Sequence, residues 1–143
     1  MKTKGFSLLE LLIVISLTSL IGVMGMGIYG RVRQREEMAA EVSQVVHILN
    51  SGRVKSVAGE KDMTWKVRLE IDRVKLQDET GLTAEEYRLA EKYSLFGPMV
   101  EVTFNRADGR VEMCETGCVF ELRDGGGELS YQFRVLYSGV VEY

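Results

Sequence analysis

One carboxylate in this sequence lies where a charge is costly. Glu10 stands near the start of an otherwise apolar stretch, and residues 11–28 carry no charged side chain. That stretch is about long enough to cross the roughly 30 Å of hydrocarbon in a bilayer. Because a carboxylate in hydrocarbon costs several kcal/mol, Glu10 needs either a charged partner or a position at the polar headgroups.

Two ordinary interpretations of such an N-terminus explain the residues poorly. A cleavable secretory signal has an apolar region of about 7–15 residues and a small-x-small cleavage site. Here the apolar run is longer, and no convincing site of that kind precedes Arg31. A plain signal anchor would account for the length of the run but would leave Glu10 without a purpose.

A third interpretation accounts for Gly5 as well as Glu10. Residues 5–10 read Gly-Phe-Ser-Leu-Leu-Glu, with a short basic leader before them and an apolar span after them. This segment closely resembles the processing site of type IV pilins and type II secretion pseudopilins. The resemblance implies that a prepilin peptidase cleaves between Gly5 and Phe6 on the cytoplasmic side and methylates the new amine of Phe6.

The same resemblance gives Glu10 a role in assembly. After cleavage, Phe6 would carry an ammonium one helical turn from Glu10. When subunits stack in a helical filament, the amine of an incoming chain can neutralise a neighbour's Glu10, which offsets the desolvation of both charges. The implied partners are prepilin peptidase, other pilins or pseudopilins and an inner-membrane assembly platform.

Enzymatic motifs are absent from the sequence. There is no Gly-x-Ser-x-Gly elbow, His-Glu-x-x-His pair, phosphate loop or dinucleotide fingerprint. With His47 as the single histidine, acid–base chemistry would fall to carboxylates such as Glu85, Glu86 or Asp108, and solvation of turns and helix faces explains these more simply. The sequence predicts a protein that is not an enzyme and that uses no cofactor.

Cys114 and Cys118 flank three residues and are the only cysteines in the sequence. Outside the cytoplasm such a pair can staple a turn, although so short a loop gains little from closure entropy. Zinc would want four ligands, and only the distant His47 could join. A structural disulfide is therefore favoured over free thiols, and no metal site is predicted.

Length and charge limit the remainder of the chain. The 143 residues carry a formal charge of −3, and loss of Lys2 and Lys4 with the leader lowers it by two, to −5. This balance argues against a nucleic-acid partner. Lysines precede the apolar span and arginines follow it. The distribution of positive charge therefore does not decide which end of the span faces the cytoplasm. The resemblance places the leader inside the cell and the C-terminal domain in the periplasm or extracytoplasmic space, on a single-pass inner-membrane anchor.

Three segments are predicted along the chain. Residues 1–5 form the leader, 6–30 a transmembrane and assembly helix, and 31–143 a soluble domain whose helix continues to about residue 58. Apolar residues recur at helical spacing in the second half of that helix and predict a stripe packed on the chain's own sheet. These residues are Val32, Ala39, Val42, Val46 and Leu49. Gly59 is a plausible stop for the helix.

The rest of the sequence indicates β-structure. Thr83-Ala84-Glu85-Glu86 resembles a capping box and predicts a short helix to about Lys92. Alternating apolar and polar residues predict strands elsewhere. The predicted strands cover residues 65–71, 74–77, 99–105, 110–114, 118–123, 129–137 and 140–143. The predicted fold class is α+β, a pilin-like long N-terminal helix packed on small antiparallel β-sheets.

Within the pilin-like families, the layout is most similar to the H-type minor pseudopilins, the GspH/FimT group. In that group a long helix leads directly into two small antiparallel sheets, as the helix up to Ala58 and the strand at Trp65 suggest here. The implied function is that of a minor pseudopilin supporting protein secretion. The alternatives are a minor pilin of a type IV pilus or competence pseudopilus, and a membrane-anchored binding module that uses Trp65 or tyrosines.

Overall fold

The computed structural model describes residues 7–60 and 63–143, without the side chains of residues 23–28. Helix α1 spans Leu8–Val57. It ends as predicted, because Gly59 adopts a positive φ of 64° and its N–H is bonded to the carbonyl of Ser56, a conformation that favours glycine after a helix. The chain divides into two compact units between Glu36 and Glu37.

Eight strands follow α1 and form two antiparallel four-stranded sheets. The strands are β1 (Lys66–Leu69), β2 (Arg73–Gln77), β3 (Thr83–Arg88), β4 (Tyr93–Phe96), β5 (Glu101–Thr103), β6 (Cys118–Asp124), β7 (Ser130–Val135) and β8 (Val141–Glu142). The first sheet has the order β3-β2-β1-β5 and the second β4-β6-β7-β8. The predicted α+β class, a long N-terminal helix packed on antiparallel sheets, is confirmed.

The second unit has one hydrophobic core, built from α1 and both sheets. Val42, Val46 and Leu49 of the predicted stripe are buried in it, whereas Ala39 is half-buried and Val32 is exposed. Additional helix residues that are buried in the same core are Met38, Val45 and Ile48. The sheets contribute large side chains such as Trp65, Phe104, Phe120 and Phe133.

Gly52 allows α1 to approach the first sheet closely. A Cβ atom at this position would lie 2.9 Å from Cγ2 of Val67 and 3.1 Å from Cδ1 of Leu76. Those distances are shorter than ordinary van der Waals contact, so a larger residue would push the helix away from the sheet. Although glycine weakens a helix, here it is needed for packing.

The predicted helix at 83–92 is wrong. Residues Thr83–Arg88 form β3, which pairs with β2 along its length. Alternate side chains have partners on opposite sides of the strand: Glu85 accepts a hydrogen bond from Ser51 of α1, and Glu86 pairs with Arg73 of β2. Pairing with a neighbouring strand therefore prevails over the local capping signal.

Two smaller differences concern the second half of the chain. The strand predicted at 110–114 is wrong, because Glu112–Cys114 is a 3₁₀ turn in which the N–H of Cys114 bonds to the carbonyl of Val111. Strand β4 had not been predicted. The other predicted strands are present, with ends that are shorter by a few residues or, for β2 and β6, one residue longer.

Candidate functional site

The N-terminal end of α1 carries the residues to which the sequence assigns chemistry. Gly5 and Phe6, the predicted cleavage pair, lie outside the described residues. Glu10 lies in the first turn of the helix and is exposed. A carboxylate at this position interacts favourably with the partial positive charge of the helix N-terminus. The helix end alone therefore offers some compensation for the charge of Glu10.

The first unit exposes its large apolar side chains. Between residues 8 and 21, those that are 49% to 83% exposed are Leu8, Leu9, Leu11, Leu12, Ile13, Val14, Ile15, Leu17, Leu20 and Ile21. We refer to this set as the apolar surface of α1. A continuous apolar surface of this kind marks a site of contact with a protein or a membrane. Within residues 7–60 and 63–143, no helix meets the combined length and hydropathy required of a membrane span.

Hydroxyl groups on the same part of α1 are satisfied within the helix. Ser16 donates to the carbonyl of Leu12 at 2.8 Å, and Ser19 donates to that of Ile15 at 2.7 Å. The Thr18 hydroxyl lies within hydrogen-bonding distance of the carbonyl one turn before it. A hydroxyl bonded to its own helix needs no outside partner, so these polar groups do not prevent the surface from being covered by apolar material.

Cys114 and Cys118 form a disulfide, with their Cα atoms 5.2 Å apart. Both residues are buried. The bond closes the 3₁₀ turn and holds Gly117 at a φ of 86°, where a Cβ atom would lie 2.9 Å from Cδ of Arg134. The pair therefore fixes the turn against β7, which is a structural arrangement.

The carboxylates considered for acid–base chemistry lie in separate surface ion pairs. Glu85 Oε1 lies 3.8 Å from Lys55 Nζ, while Glu86 Oε1 lies 3.2 Å from Arg73. Asp108 pairs with Arg110 at 3.0 Å. Because these pairs lie on different elements or on opposite sides of β3, they do not form one catalytic cluster.

Neither a metal-binding group nor a histidine placed for acid–base chemistry is present among the residues that the structure describes. His47 is exposed on α1. Among residues 7–60 and 63–143, no group of three or more His, Cys, Asp or Glu side chains is arranged to hold a metal ion.

The groups with shifted pKa values are also parts of structural contacts. Hydrogen bonding to Arg73 lowers the pKa of Asp72, and bonding to Arg123 lowers that of Glu121. Burial, followed by the hydrogen bond to Glu41, raises the pKa of Tyr87 to about 12. Perturbed groups mark a functional site when they converge in a cleft, whereas these three lie separately in the turn before β2, in β3 and in β6.

Trp65 cannot act as an exposed binding residue. Its side chain is 1% exposed, its indole N–H donates to the carbonyl of Glu60, and Lys55 Nζ lies 4.8 Å from the ring centroid. Core packing, which the strand alternation favoured, is confirmed for this residue. The binding-module alternative therefore loses its main candidate contact.

Two structural contacts were not predicted from the sequence. Asp78 is buried, and its Oδ1 accepts hydrogen bonds from the N–H groups of Thr80 and Leu82. The sequence Asp-Glu-Thr-Gly at 78–81 is typical of such a turn and could have indicated it. The contact between Tyr87 and Glu41 had no comparable signal, because it joins residues 46 positions apart.

Comparison with known proteins identifies the N-terminal segment alone. Neither the curated proteins nor the solved structures provided a match to the chain. Residues 1–26 match the family model for the prokaryotic N-terminal methylation motif, and this range contains Gly5, Phe6 and Glu10. The first part of the chain is thus a signal of the type IV pilin and pseudopilin kind.

Proposed function

We propose that this protein is a minor pseudopilin of a type II secretion system, matured by prepilin peptidase and assembled through α1 to support protein secretion across the outer membrane. The observation that carries the proposal is the methylation motif over residues 1–26, which contains the apolar surface of α1. A filament subunit requires a processing signal and an apolar surface that neighbouring subunits can cover.

Maturation would create the second charge of the assembly site. Cleavage between Gly5 and Phe6, with N-methylation of Phe6, leaves an ammonium one turn before Glu10. In a stack of subunits, the ammonium of one chain and Glu10 of another neutralise each other where both are removed from water. The exposed position of Glu10 in the first turn of α1 is compatible with such an approach.

The layout of the second unit supports the choice of the H-type group. Helix α1 leads through a short connection into β1, and the eight strands form two small antiparallel sheets. The disulfide encloses three residues, unlike the long cysteine-bounded C-terminal loop of major type IVa pilins. The alternative function is a minor pilin of a type IV pilus or competence pseudopilus, which would use the same signal and the same helix.

The proposed location is the inner membrane, with residues 6–30 as a single-pass anchor and residues 31–143 outside the cytoplasm. The side-chain hydrogen bonds within the helix at Ser16, Thr18 and Ser19 support an apolar environment for this segment. Extraction from the membrane into the filament would exchange lipid for neighbouring helices around the apolar surface of α1.

Replacement of Gly5 tests the maturation step. We expect Gly5→Leu to keep residues 1–5 attached, because a bulky side chain beside the scissile bond obstructs the peptidase. Gly22→Leu is the matched control, since a Cβ at Gly22 has no neighbour within 4 Å and the residue lies far from the cleavage site. N-terminal sequencing after co-expression with prepilin peptidase gives the answer. A Gly5→Leu chain that still begins at Phe6, or a wild-type chain that is never cleaved, contradicts the proposal.

Secretion and pilus functions are separated by the machinery that accepts the mature chain. We expect co-purification with the pseudopilins of a type II secretion system, and loss of secretion when the gene is deleted. Incorporation into a retractable pilus, with secretion intact in the deletion strain, would instead favour the alternative.

A further inference from the structure

Three arginines lie on α1 shortly after its uncharged stretch. Arg31, Arg33 and Arg35 follow residues 11–28, with Tyr29 just before them. Tyr29 is 71% exposed, and all three arginines are exposed as well. An apolar run that ends in an aromatic residue and then in charged residues is typical of a segment that meets the interface between membrane and water.

Two of these arginines lie on the same side of the helix. Arg31 and Arg35 are four positions apart, which places their Cβ atoms about 6 Å from each other, whereas Arg33 lies near the opposite side. Glu36 is next to Arg35 in sequence, but consecutive residues of a helix do not face each other. In the part of the chain that the structure describes, neither Arg31 nor Arg35 has an ion-pair partner. Their guanidinium groups are therefore available to an anion from outside the chain.

The length of the uncharged stretch determines the depth of these two groups in a bilayer. As a helix, residues 11–28 extend about 27 Å, close to the roughly 30 Å of hydrocarbon. Arg31 then reaches the headgroups on the outer side, and Arg35 lies one turn further, about 6 Å along the axis. Each Cα–Cβ bond of a helix is tilted towards the N-terminus. Both side chains therefore lean back towards the bilayer.

Arginines at this end of the span depart from the usual distribution of charge. Positive residues beside a span are commonly found on the cytoplasmic side, whereas the location proposed above puts Arg31 and Arg35 outside. A guanidinium presents a planar fork of N–H donors that matches a phosphate and binds it through two hydrogen bonds. Phospholipid headgroups carry such phosphates at the depth that both side chains reach.

We propose that Arg31 and Arg35 bind the phosphate groups of anionic phospholipids in the outer leaflet of the inner membrane. The proposal rests on the location proposed above and adds a ligand to it. Carboxylates of a neighbouring subunit are another source of negative charge, but the tilt of the side chains towards the bilayer favours the lipid. The two contacts would oppose movement of α1 out of the membrane, and would hold the subunit at a fixed depth until its extraction into the filament.

Spin-labelled lipids provide a direct probe of this contact. We place the ¹⁵N-labelled full chain in phosphatidylcholine bicelles that contain a trace of either phosphatidylglycerol or phosphatidylcholine with a spin label near the headgroup. We expect the relaxation of the amides of residues 29–35 to be enhanced about fivefold more by labelled phosphatidylglycerol. That factor corresponds to the contribution of about 1 kcal/mol from an arginine at an anionic surface. The amides of β1 and β3 should show no such preference.

Matched variants separate these arginines from the charge of the whole chain. The double variant Arg31→Gln with Arg35→Gln should be relaxed equally by the two labelled lipids. The double variant Arg68→Gln with Arg88→Gln changes the net charge by the same amount at exposed positions of the first sheet, and should keep the wild-type preference. Replacing chloride by inorganic phosphate at equal ionic strength should also leave the preference unchanged, because the ligand is the headgroup in the bilayer.

Two results distinguish this proposal from the proposed location. If a lipid labelled in its acyl chain does not relax residues 8–21, α1 is not in the bilayer, and both proposals are wrong. If that lipid relaxes residues 8–21 but residues 29–35 show no preference for phosphatidylglycerol, the location stands and the lipid contact is refuted.

Three further results bear on the assignment to Arg31 and Arg35. A preference that survives in the Arg31→Gln and Arg35→Gln double variant would overturn it. So would a preference that inorganic phosphate abolishes, or a response of residues 29–35 to purified partner pseudopilins in place of lipid. A fivefold preference that only the double variant at 31 and 35 loses supports the proposal.

Discussion

The two units of the chain use apolar side chains in opposite ways. In the unit before Glu37, leucines and isoleucines of α1 are exposed, whereas in the unit after it Val42, Val45 and Leu49 of the same helix are fully buried. The difference lies in the neighbours. The second unit supplies two sheets that cover its helix residues, and the first unit contains no strand among the described residues to do so.

This comparison indicates where each unit obtains its stability. Burial of apolar surface contributes about 25 cal/mol per Å², and in the second unit this contribution comes from within the chain. In the first unit the same contribution requires lipid or another protein. A chain with this division is suited to folding in one part and assembly in the other, and the following substitutions test that division.

The largest effect is expected at Glu10. We expect Glu10→Ala to prevent incorporation into the filament and the secretion that depends on it, while membrane insertion and cleavage after Gly5 persist, because the segment becomes more apolar. Glu10→Gln, nearly isosteric but uncharged, should behave like Ala if charge pairing matters. Co-purification with partner pilins from detergent, together with a secretion assay, measures this. Normal assembly of both variants would mean that Glu10 only reaches the headgroups.

Two leucines of α1 test the division of stability directly. Leu49 is 0% exposed and Leu12 is 57% exposed. We expect Leu49→Ala to lower the free energy of unfolding by about 2–5 kcal/mol through a lost contact and a cavity, while Leu12→Ala leaves it unchanged. Fluorescence of Trp65, the single tryptophan, reports unfolding of the second unit in detergent. Equal destabilisation by both substitutions would refute the comparison.

The sequence predicted those parts of the fold that depend on local periodicity. The spacing of Val42, Val46 and Leu49 indicated the buried face of α1, and Gly59 marked its end. The alternation of Trp65, Val67 and Leu69 indicated β1. Each of these patterns reflects a helix or strand with one buried face. It can therefore be recognised without knowing which element packs against that face.

Elements that depend on distant pairing were not predictable in this way. Thr83–Arg88 has a local helical signal, but β2 makes it a strand. Tyr93–Phe96 is too short to show a period. In the candidate site, the N-terminal motif could be identified from Gly5, Phe6 and Glu10 alone. The contact between Tyr87 and Glu41 could not, because it joins residues 46 positions apart.

The disulfide is expected to have a moderate effect, confined to the second unit. Closing so short a loop contributes about 2 kcal/mol in the chain-entropy model, so reduction of Cys114 and Cys118 should lower the unfolding free energy by about that amount. The double variant Cys114→Ala and Cys118→Ala should then become insensitive to reductant. Thermal unfolding with and without a thiol-free reductant measures both. A wild-type protein that is unaffected by complete reduction would contradict this expectation.

The smallest effect is a pH dependence that belongs to Tyr87. Its hydroxyl donates to Oε2 of Glu41 at 2.9 Å, and burial followed by this bond raises the pKa of Tyr87 from 10.0 to about 12. Because the folded state favours the neutral phenol, its contribution to stability is fully present below the unfolded pKa of 10.0 and is lost as the pH rises through about 12.

Removing the phenol should therefore flatten the alkaline limb of the stability curve. We expect the unfolding free energy of wild type to fall more steeply than that of Tyr87→Phe between pH 10 and about 12. Tyr143→Phe is the matched control, because that ring is 65% exposed, and its curve should follow wild type. Denaturant unfolding at a series of pH values measures the difference. Parallel curves for wild type and Tyr87→Phe would show that the contact between β3 and α1 does not depend on the protonated phenol.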